Sequence, residues 1–342
     1  MKAVVYTKTG ASSTLTLVER EPGEPGHGEV RVRIAVSGVN PTDWKARARP
    51  TSASPAGFAE VVPNQDGAGV IDAVGDGVEG LAVGDRVWVF LAQHERPTGT
   101  AQELTVVPAA RTVPLPTTVD FATGASLGVP ALTAHRALTV HEQGPPRLFP
   151  GALTGRTVLI AGGAGAVGHA AIQLARWAGA QVITTVSSKE KTHLALSAGA
   201  HDVIDRHASD LTATVQRAAP DGVDHIVEVA IGANASLDAT VAANHASIAY
   251  YADDGGDILT LPVRTSFAKN LRLQGILLYT LSEKALHAAV EDTRNALSDG
   301  ALPVGTNAGL PLTWFQLNET PAAHDAVQAG TVGKVLIQVA DM

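Results

Sequence analysis

Residues 157–171 read Thr-Val-Leu-Ile-Ala-Gly-Gly-Ala-Gly-Ala-Val-Gly-His-Ala-Ala. A short apolar run leads into Gly163-x-Gly165-x-x-Gly168, and an alanine-rich helical pattern follows. Each glycine has its own duty in such a turn. Gly163 permits the tight reversal, Gly165 lets the backbone approach a ligand, and Gly168 lets the helix pack closely on the strand. The amides at the helix start lie at its positive end, where they suit a phosphate. This spacing alone is a weak signal. Its context strengthens it: an apolar strand before, a long helix after, and a second strand, Gln181–Val186, on schedule.

Strand–helix alternation continues downstream. The pattern predicts helices over Val167–Ala178, Lys189–Ser197, Leu211–Ala218 and Ser236–Ala243. Strands are predicted at Asp202–Ile204, His225–Val229, Ser247–Tyr251 and Leu271–Tyr279. Such alternation argues for a parallel sheet covered on both faces. Upstream the chain changes character. Glu29–Gly38 places Val30, Val32, Ile34 and Val36 on one face, a half-buried strand pattern. Short strands at Lys2–Thr7, Leu15–Glu19, Gly69–Val74, Arg86–Phe90 and Ala101–Val107 complete a small barrel-like β region. Ala122–Val140 reads as helix, and Gly144–Gly155, with three prolines and three glycines, as a loop. A helix over Glu283–Leu297, a short helix near Pro321–Ala329 and a last strand, Lys334–Val339, close the chain.

The tip of the second strand bears on the cofactor. A dinucleotide fold that binds NAD usually carries an acidic residue there, for the ribose hydroxyls. This chain has Val186-Ser187-Ser188-Lys189-Glu190-Lys191. Two hydroxyls and two lysines suit a 2′-phosphate, so the expected cofactor is NADPH, with Ser187, Ser188 and Lys191 around that phosphate.

Bulk properties narrow the class. With 342 residues, two domains are the natural expectation. A net charge of −8 argues against a broad nucleic-acid footprint. There are no cysteines, so disulfides, thiolate metal sites and cysteine nucleophiles are absent. No run of roughly 18 or more apolar residues suggests a membrane span, and the cytoplasm is the expected location.

Several ordered stretches carry a resemblance over nearly the whole chain. They are Gly38-Val39-Asn40-Pro41-Thr42-Asp43, Gly67–Gly75 followed by Val83-Gly84-Asp85-Arg86-Val87, Gly128–Leu138, the glycine turn itself, and Gly333-Lys334-Val335-Leu336. Together they resemble the zinc-free quinone oxidoreductases of the medium-chain dehydrogenase/reductase superfamily, the zeta-crystallin-like group. The resemblance implies an α/β protein. It has a GroES-like β-barrel catalytic domain (1–122, completed by 283–342) and a Rossmann domain with a doubly wound parallel sheet (123–282). It also implies a homodimer or homotetramer.

Zinc-dependent relatives in that superfamily use a cysteine and a Gly-His-Glu segment. Here Asn40 stands at the cysteine position and Asn64-Gln65-Asp66-Gly67 at the other. No metal is therefore expected, since zinc needs a converging set of Cys, His or carboxylate ligands. Without a Lewis acid, alcohol oxidation is disfavoured. Acceptors that take hydride directly remain, namely quinones and activated alkenes.

By resemblance, Ala166 and Val167 present amides to the pyrophosphate, Ser187 and Lys191 meet the 2′-phosphate, and Arg206 lies near the adenosine. Tyr250, Tyr251, Leu277, Leu278 and Tyr279 lie beside the cofactor, the last three at the end of the sixth strand. Thr133 and Lys334 lie in cofactor-adjacent segments. Asn40, Asp43 and Lys45 are the substrate-side candidates, and Asp43 has a second reading as the cap of a helix after Pro41. The proton for the reduced acceptor comes from water, Tyr251 or Lys45. The expected activity is NADPH-dependent quinone reduction. Reduction of an enone or alkenal is the alternative, and a non-catalytic NADPH-binding or RNA-associated protein is the alternative from another class.

Overall fold

The computed structural model describes residues 1–49 and 57–340. The alternation that opens the β region does what its period demands. Val30, Val32 and Ile34 are fully buried, whereas Arg31 and Arg33 point outward, and Arg31 Nε donates to Asp72 at 2.9 Å. The strand then continues as Ala35-Val36-Ser37-Gly38-Val39, buried on both faces.

The N-terminal elements are β1 (Lys2–Val5), β2 (Thr16–Glu19), β3 (Glu29–Val39), α1 (Pro41–Ala48), β4 (Asp66–Val74), β5 (Arg86–Val89), β6 (Leu104–Pro108), β7 (Thr112–Pro114), α2 (Phe121–Gly124) and α3 (Gly128–Leu138). Next come β8 (Thr157–Ala161), α4 (Ala166–Trp177), β9 (Gln181–Val186), α5 (Lys189–Ser197), β10 (Asp202–Asp205), α6 (Leu211–Ala218), β11 (Val223–Glu228), α7 (Ile231–Val241), β12 (Ala242–Tyr250), α8 (Val263–Ala268), β13 (Arg272–Gly275) and α9 (Glu283–Ser298). The chain closes with β14 (Leu312–Gln316), α10 (Thr320–Gln328) and β15 (Lys334–Gln338).

The chain forms two compact units, Met1–Val129 with Leu312–Met342, and Pro130–Pro311. The sequence-based division drew its boundaries at 122/123 and 282/283. By contacts, residues 123–129 group with the first unit and α9 with the second. The first unit carries a sheet in the order β14-β15-β3-β4-β5-β7, with β6 also paired to β3. Its last strand is an integral part: β15 pairs antiparallel with β3, from Val335↔Val39 to Gln338↔Val36.

The second unit has one parallel sheet in the order β10-β9-β8-β11-β12-β13. This is the doubly wound order, which reverses between β8 and β11. Leu159, Ile183, Ile226 and Ile248 lie at the centre of its core, each at most 2% exposed. Burying such a side chain contributes about 1.5–3 kcal/mol. Because helices cover both faces, the central strands β8, β9 and β11 are buried almost continuously rather than at alternate residues.

Several elements differ from expectation. Leu271–Tyr279 is not one strand. β13 stops at Gly275, one further bond runs from Ile276 N–H to Tyr250 O, and Leu278–Thr280 closes into a 3₁₀ turn. Thr280 stabilises that turn, its hydroxyl donating to Leu277 O at 3.2 Å. The helix predicted at Ser236–Ala243 starts earlier, at Ile231, because Gly232 lets the backbone pack against Gly255 and Gly256. β7, α8 and the edge strand β14 were not among the expected elements.

The Gly144–Gly155 loop is held by one buried carboxylate. Asp292 on α9 accepts from His135 Nε2 (2.7 Å), Arg147 Nε (2.8 Å) and Leu148 N–H (2.7 Å). Burial alone would raise the Asp292 pKa, but these donors outweigh it and hold the carboxyl below its ordinary 3.8. A depressed pKa contributes stability that is present above 3.8 and lost as pH falls below it. Replacing Asp292 by Ala strands the His135 and Leu148 donors, so urea denaturation at pH 7 should show a loss of about 3 kcal/mol. The loss should shrink at acidic pH.

Candidate functional site

The second unit holds the glycine turn at the carboxyl end of β8, beside the point where strand order reverses. The left-handed residue of this turn is Gly162, with φ 74°, rather than Gly163. That corrects the duty expected of Gly163. A Cβ on Gly163 would lie 2.2 Å from Thr184 Oγ1 on β9, so Gly163 is glycine for strand packing. A Cβ on Gly168 would lie 2.3 Å from Gly162 O, which confirms close helix–turn packing. Gly165 differs from both. A Cβ there would meet only Gly162 O, at 3.4 Å. The protein's own packing does not require glycine at this exposed position. It is the N-cap of α4, where Ser, Asn or Asp would cap better. The bare backbone at Gly165, and the first-turn amides of Ala166 and Val167, form a cradle that a phosphate fits.

At the end of β9, Ser188 is the N-cap of α5, its hydroxyl accepting from Lys191 N–H at 3.3 Å. Lys191 Nζ donates to Ser187 Oγ at 3.0 Å. Arg206 N–H donates to Val186 O at 2.8 Å, which brings the Arg206 backbone to the same strand end. Ser187 and Lys191 thus meet at a strand end that carries no acid of its own, with the Arg206 backbone beside it and Asp205 on β10 as the register partner of Val186. Ser188 serves first as a cap.

The next strand ends supply a pair of acids that sequence reasoning missed. Glu228 ends β11 and accepts from Ala230 N–H (2.5 Å) and Asn234 Nδ2 (3.2 Å). Asp238 of α7 lies buried against it. Burial, and then the Glu228 charge, push the Asp238 carboxyl well above its ordinary range. Asp238 is held protonated while Glu228 takes the backbone donors. The signal in the sequence was the single acid that follows Ile226 and Val227 at the end of the strand.

Tyr250 ends β12 and packs across Gly275, where an added Cβ would meet its Oη at 3.2 Å. Tyr251 N–H donates to Glu228 O at 3.2 Å. Burial, then Glu228 and Asp254, push its phenol far above the ordinary value of 10. A general acid works best with a pKa near the operating pH, which counts against Tyr251 as proton donor. Leu277 precedes the 3₁₀ turn that contains Leu278 and Tyr279, and none of the three extends a strand. Thr133 is buried on α3.

The first unit brings Asn40, Asp43 and Lys334 together with Asp66 and Gln65. Lys334 Nζ donates to Asn40 Oδ1 at 2.6 Å and lies 3.8 Å from Asp66 Oδ2. Asn40 Nδ2 donates to Asp66 Oδ2 at 2.7 Å. The Asp66 carboxylate also accepts from Val129 N–H at 3.0 Å, at the start of α3. Gly128 must be glycine for this, since a Cβ there would lie 2.0 Å from Asp66 Oδ1. Asp43 accepts from Asn40 N–H (2.7 Å) and Gln65 N–H (3.1 Å), joining the end of β3 to the start of β4. The first of these bonds is half of a capping box on α1, with Pro41 in the first turn. Burial, then Asp66, push the Asp43 carboxyl up to about 8. Burial pulls Lys334 down, opposed by both acids. Lys45 is half-buried on α1.

Residues 26–117 match the family model of the alcohol dehydrogenase GroES-like domain, and residues 166–294 that of the zinc-binding dehydrogenases. The chain is 29% identical over 342 residues to a quinone oxidoreductase of Rattus norvegicus, covering 98% of this chain and 97% of the relative. The chain belongs to the medium-chain dehydrogenase/reductase superfamily. Solved structures of this superfamily agree in fold. An NAD-dependent alcohol dehydrogenase superposes with a TM-score of 0.85 at 28% identity, covering 99% of this chain and 100% of that one. A mycobacterial protein complexed with NADPH superposes with a TM-score of 0.81 at 26% identity, covering 99% and 100%.

The zinc that one family description implies does not fit the residues present. Both ends of the Asn40 amide are engaged, and the Lys334 ammonium already occupies the side of Asn40 and Asp66 where a cation would be received. Among the described residues no group of three or more His, Cys, Asp or Glu could hold a metal ion.

Two tests follow from this geometry. Gly168→Ala should lower the melting temperature by several degrees, while Gly165→Ala should leave it unchanged and weaken dinucleotide binding about tenfold, read by fluorescence titration. Asp238 binds a proton on folding, so its contribution is full below 3.8 and is lost as pH rises. Asp238→Asn should therefore raise the melting temperature at pH 8, with the gain vanishing towards pH 4.

Proposed function

We propose that this oxidoreductase uses NADPH to reduce quinones, with no metal ion. The acid-free tip of β9 is the observation that carries the reading: Ser187 and Lys191 joined at 3.0 Å, with Arg206 beside them. A lysine ammonium joined to a hydroxyl suits a 2′-phosphate, whereas NAD sites place a carboxylate there. The rat relative's name and the NADPH held by the mycobacterial neighbour support the same assignment.

The second unit is then the cofactor-binding domain and the first the catalytic domain. The bound dinucleotide supplies a hydride, which with one proton converts a quinone to its hydroquinone. The residues around it bind and orient. Ala166 and Val167 hold the pyrophosphate through their amides, and Gly165 keeps the approach clear. Glu228 fixes the loop after β11 through Ala230 and Asn234. In the catalytic unit both ends of the Asn40 amide are engaged, Oδ1 by Lys334 and Nδ2 by Asp66, and Asp43 is engaged by two backbone donors. We assign both as positioning residues, with Lys45 as the remaining substrate-side candidate. The proton comes from solvent or Lys45 rather than from Tyr251.

Steady-state oxidation of NADPH with 1,4-naphthoquinone tests the reading, with an enone of similar size as the second acceptor. The quinone should turn over the faster. Lys191→Ala should raise KM for NADPH about tenfold, the worth of one charge-assisted contact, and leave KM for NADH nearly unchanged. Equal losses for both cofactors would overturn the phosphate assignment.

A further inference from the structure

The switch point of the parallel sheet lies between β8 and β11, whose carboxyl ends are neighbours: Val227 is the register partner of Ile160. A dinucleotide on the glycine turn therefore meets the loop after β11 as the facing wall of its crevice. Turn and loop are in contact, since a Cβ on Gly162 would lie 3.3 Å from Val229 Cγ1. One carboxylate holds that wall. Glu228, 1% exposed, accepts from Ala230 N–H at 2.5 Å, and Asn234 Nδ2 lies 3.2 Å from each of its oxygens. Ala230 is the N-cap of α7, and its carbonyl accepts from Ala233 N–H (2.9 Å) and Asn234 N–H (3.1 Å). Glu228 thus occupies the positive end of α7, whereas no side chain caps α4. The segment after β12 closes on the same loop: a Cβ on Gly255 would lie 2.5 Å from Ala230 O, and Tyr251 N–H donates to Glu228 O at 3.2 Å.

The second acid completes the arrangement. Asp238 is also 1% exposed, and neither of its side-chain oxygens is within reach of a donor. It faces Glu228. Two buried carboxyls share such a space when one keeps its proton and donates it to the other. Burial, and then the Glu228 charge, keep the proton on Asp238. Tyr251 and Asp254 are the neighbouring titratable groups, and neither brings a positive charge. We propose that Glu228 and Asp238 are positioning residues for the dinucleotide, fixing Val229 and Ala230 as the crevice wall opposite the glycine turn. The assignment rests on the dinucleotide reading above. It governs something other than the 2′-phosphate contact. β9 and β11 flank β8 on opposite sides, so the wall acts on NADPH and NADH alike. Loss of the shared proton puts two charges in one buried place and displaces the wall, so affinity for both coenzymes falls as pH rises.

Fluorescence titration with NADPH and with NADH tests this. Glu228→Ala removes the acceptor and should weaken both coenzymes about tenfold, the cost of a stranded buried donor. Glu228→Gln keeps one oxygen for Ala230 and Asn234 and should restore most of that loss. The parent's affinity for both should fall in parallel from pH 7 to pH 10. Asp238→Asn, whose amide donates to Glu228 at every pH, should abolish that fall. Melting temperatures show whether each variant folds, and the Asp238→Asn profile decides if Glu228→Ala does not. A parent that binds neither dinucleotide overturns the underlying reading, and this assignment with it. With a parent that binds, the assignment alone is overturned if Glu228→Ala binds both coenzymes as the parent does, or if Asp238→Asn keeps the parent's fall with pH.

Discussion

A buried ammonium organises the first unit. Lys334 projects from the last strand onto Asn40, at the end of β3, and towards Asp66, at the start of β4. An unpaired ammonium in such a place would cost several kcal/mol, so the three segments are constrained to meet. The consequences spread outward. Asp66, held by Lys334 and Asn40, is aimed at the start of α3. Asp43, the second acid of the cluster, staples the β3 and β4 ends through backbone amides. The C-terminal strand is therefore bound into the first unit by charge as well as by its ladder with β3.

The same interaction limits the chemistry. Medium-chain dehydrogenases that use zinc place ligands where this chain has an amide and a carboxylate already satisfied by one another and by Lys334. The unit is electrostatically complete without a divalent cation. What it holds at its centre is a buried polar cluster paired internally. The contacts proposed for the dinucleotide lie in the second unit, the backbone amides of the turn after β8 among them. Gly163 and Gly168 are small for internal packing, whereas Gly165 is small without any internal need.

Much of this was legible in the sequence, for physical reasons that can be named. Strand–helix alternation is a strong periodic signal: every strand from β8 to β11 lies within two residues of where the pattern put it, while β12 starts at Ala242, inside the expected helix 236–243. The strand tip at Ser187-Ser188 was read by the absence of an acid, and Lys191 does reach Ser187. Other features were hidden because they depend on contacts distant in sequence. Nothing local marks Asp66 as the partner of Lys334, 268 residues away. The left-handed residue of the turn is Gly162 rather than Gly163, and Gly163 is kept bare by Thr184 on the neighbouring strand, a contact the local sequence does not mark. The break after Gly275 follows from a local 3₁₀ turn, which apolar residues at 276–278 conceal. The Glu228–Asp238 pair looked like two unrelated acids until strand and helix brought them together.

The claim on which the rest turns is hydride transfer from NADPH to a quinone with no metal ion. Turnover of NADPH with 1,4-naphthoquinone should be measured on protein dialysed exhaustively against a strong chelator, and again after zinc is restored. The account predicts equal rates before dialysis, after it and after zinc is added. Activity that is lost with the chelator and returns with zinc would contradict it.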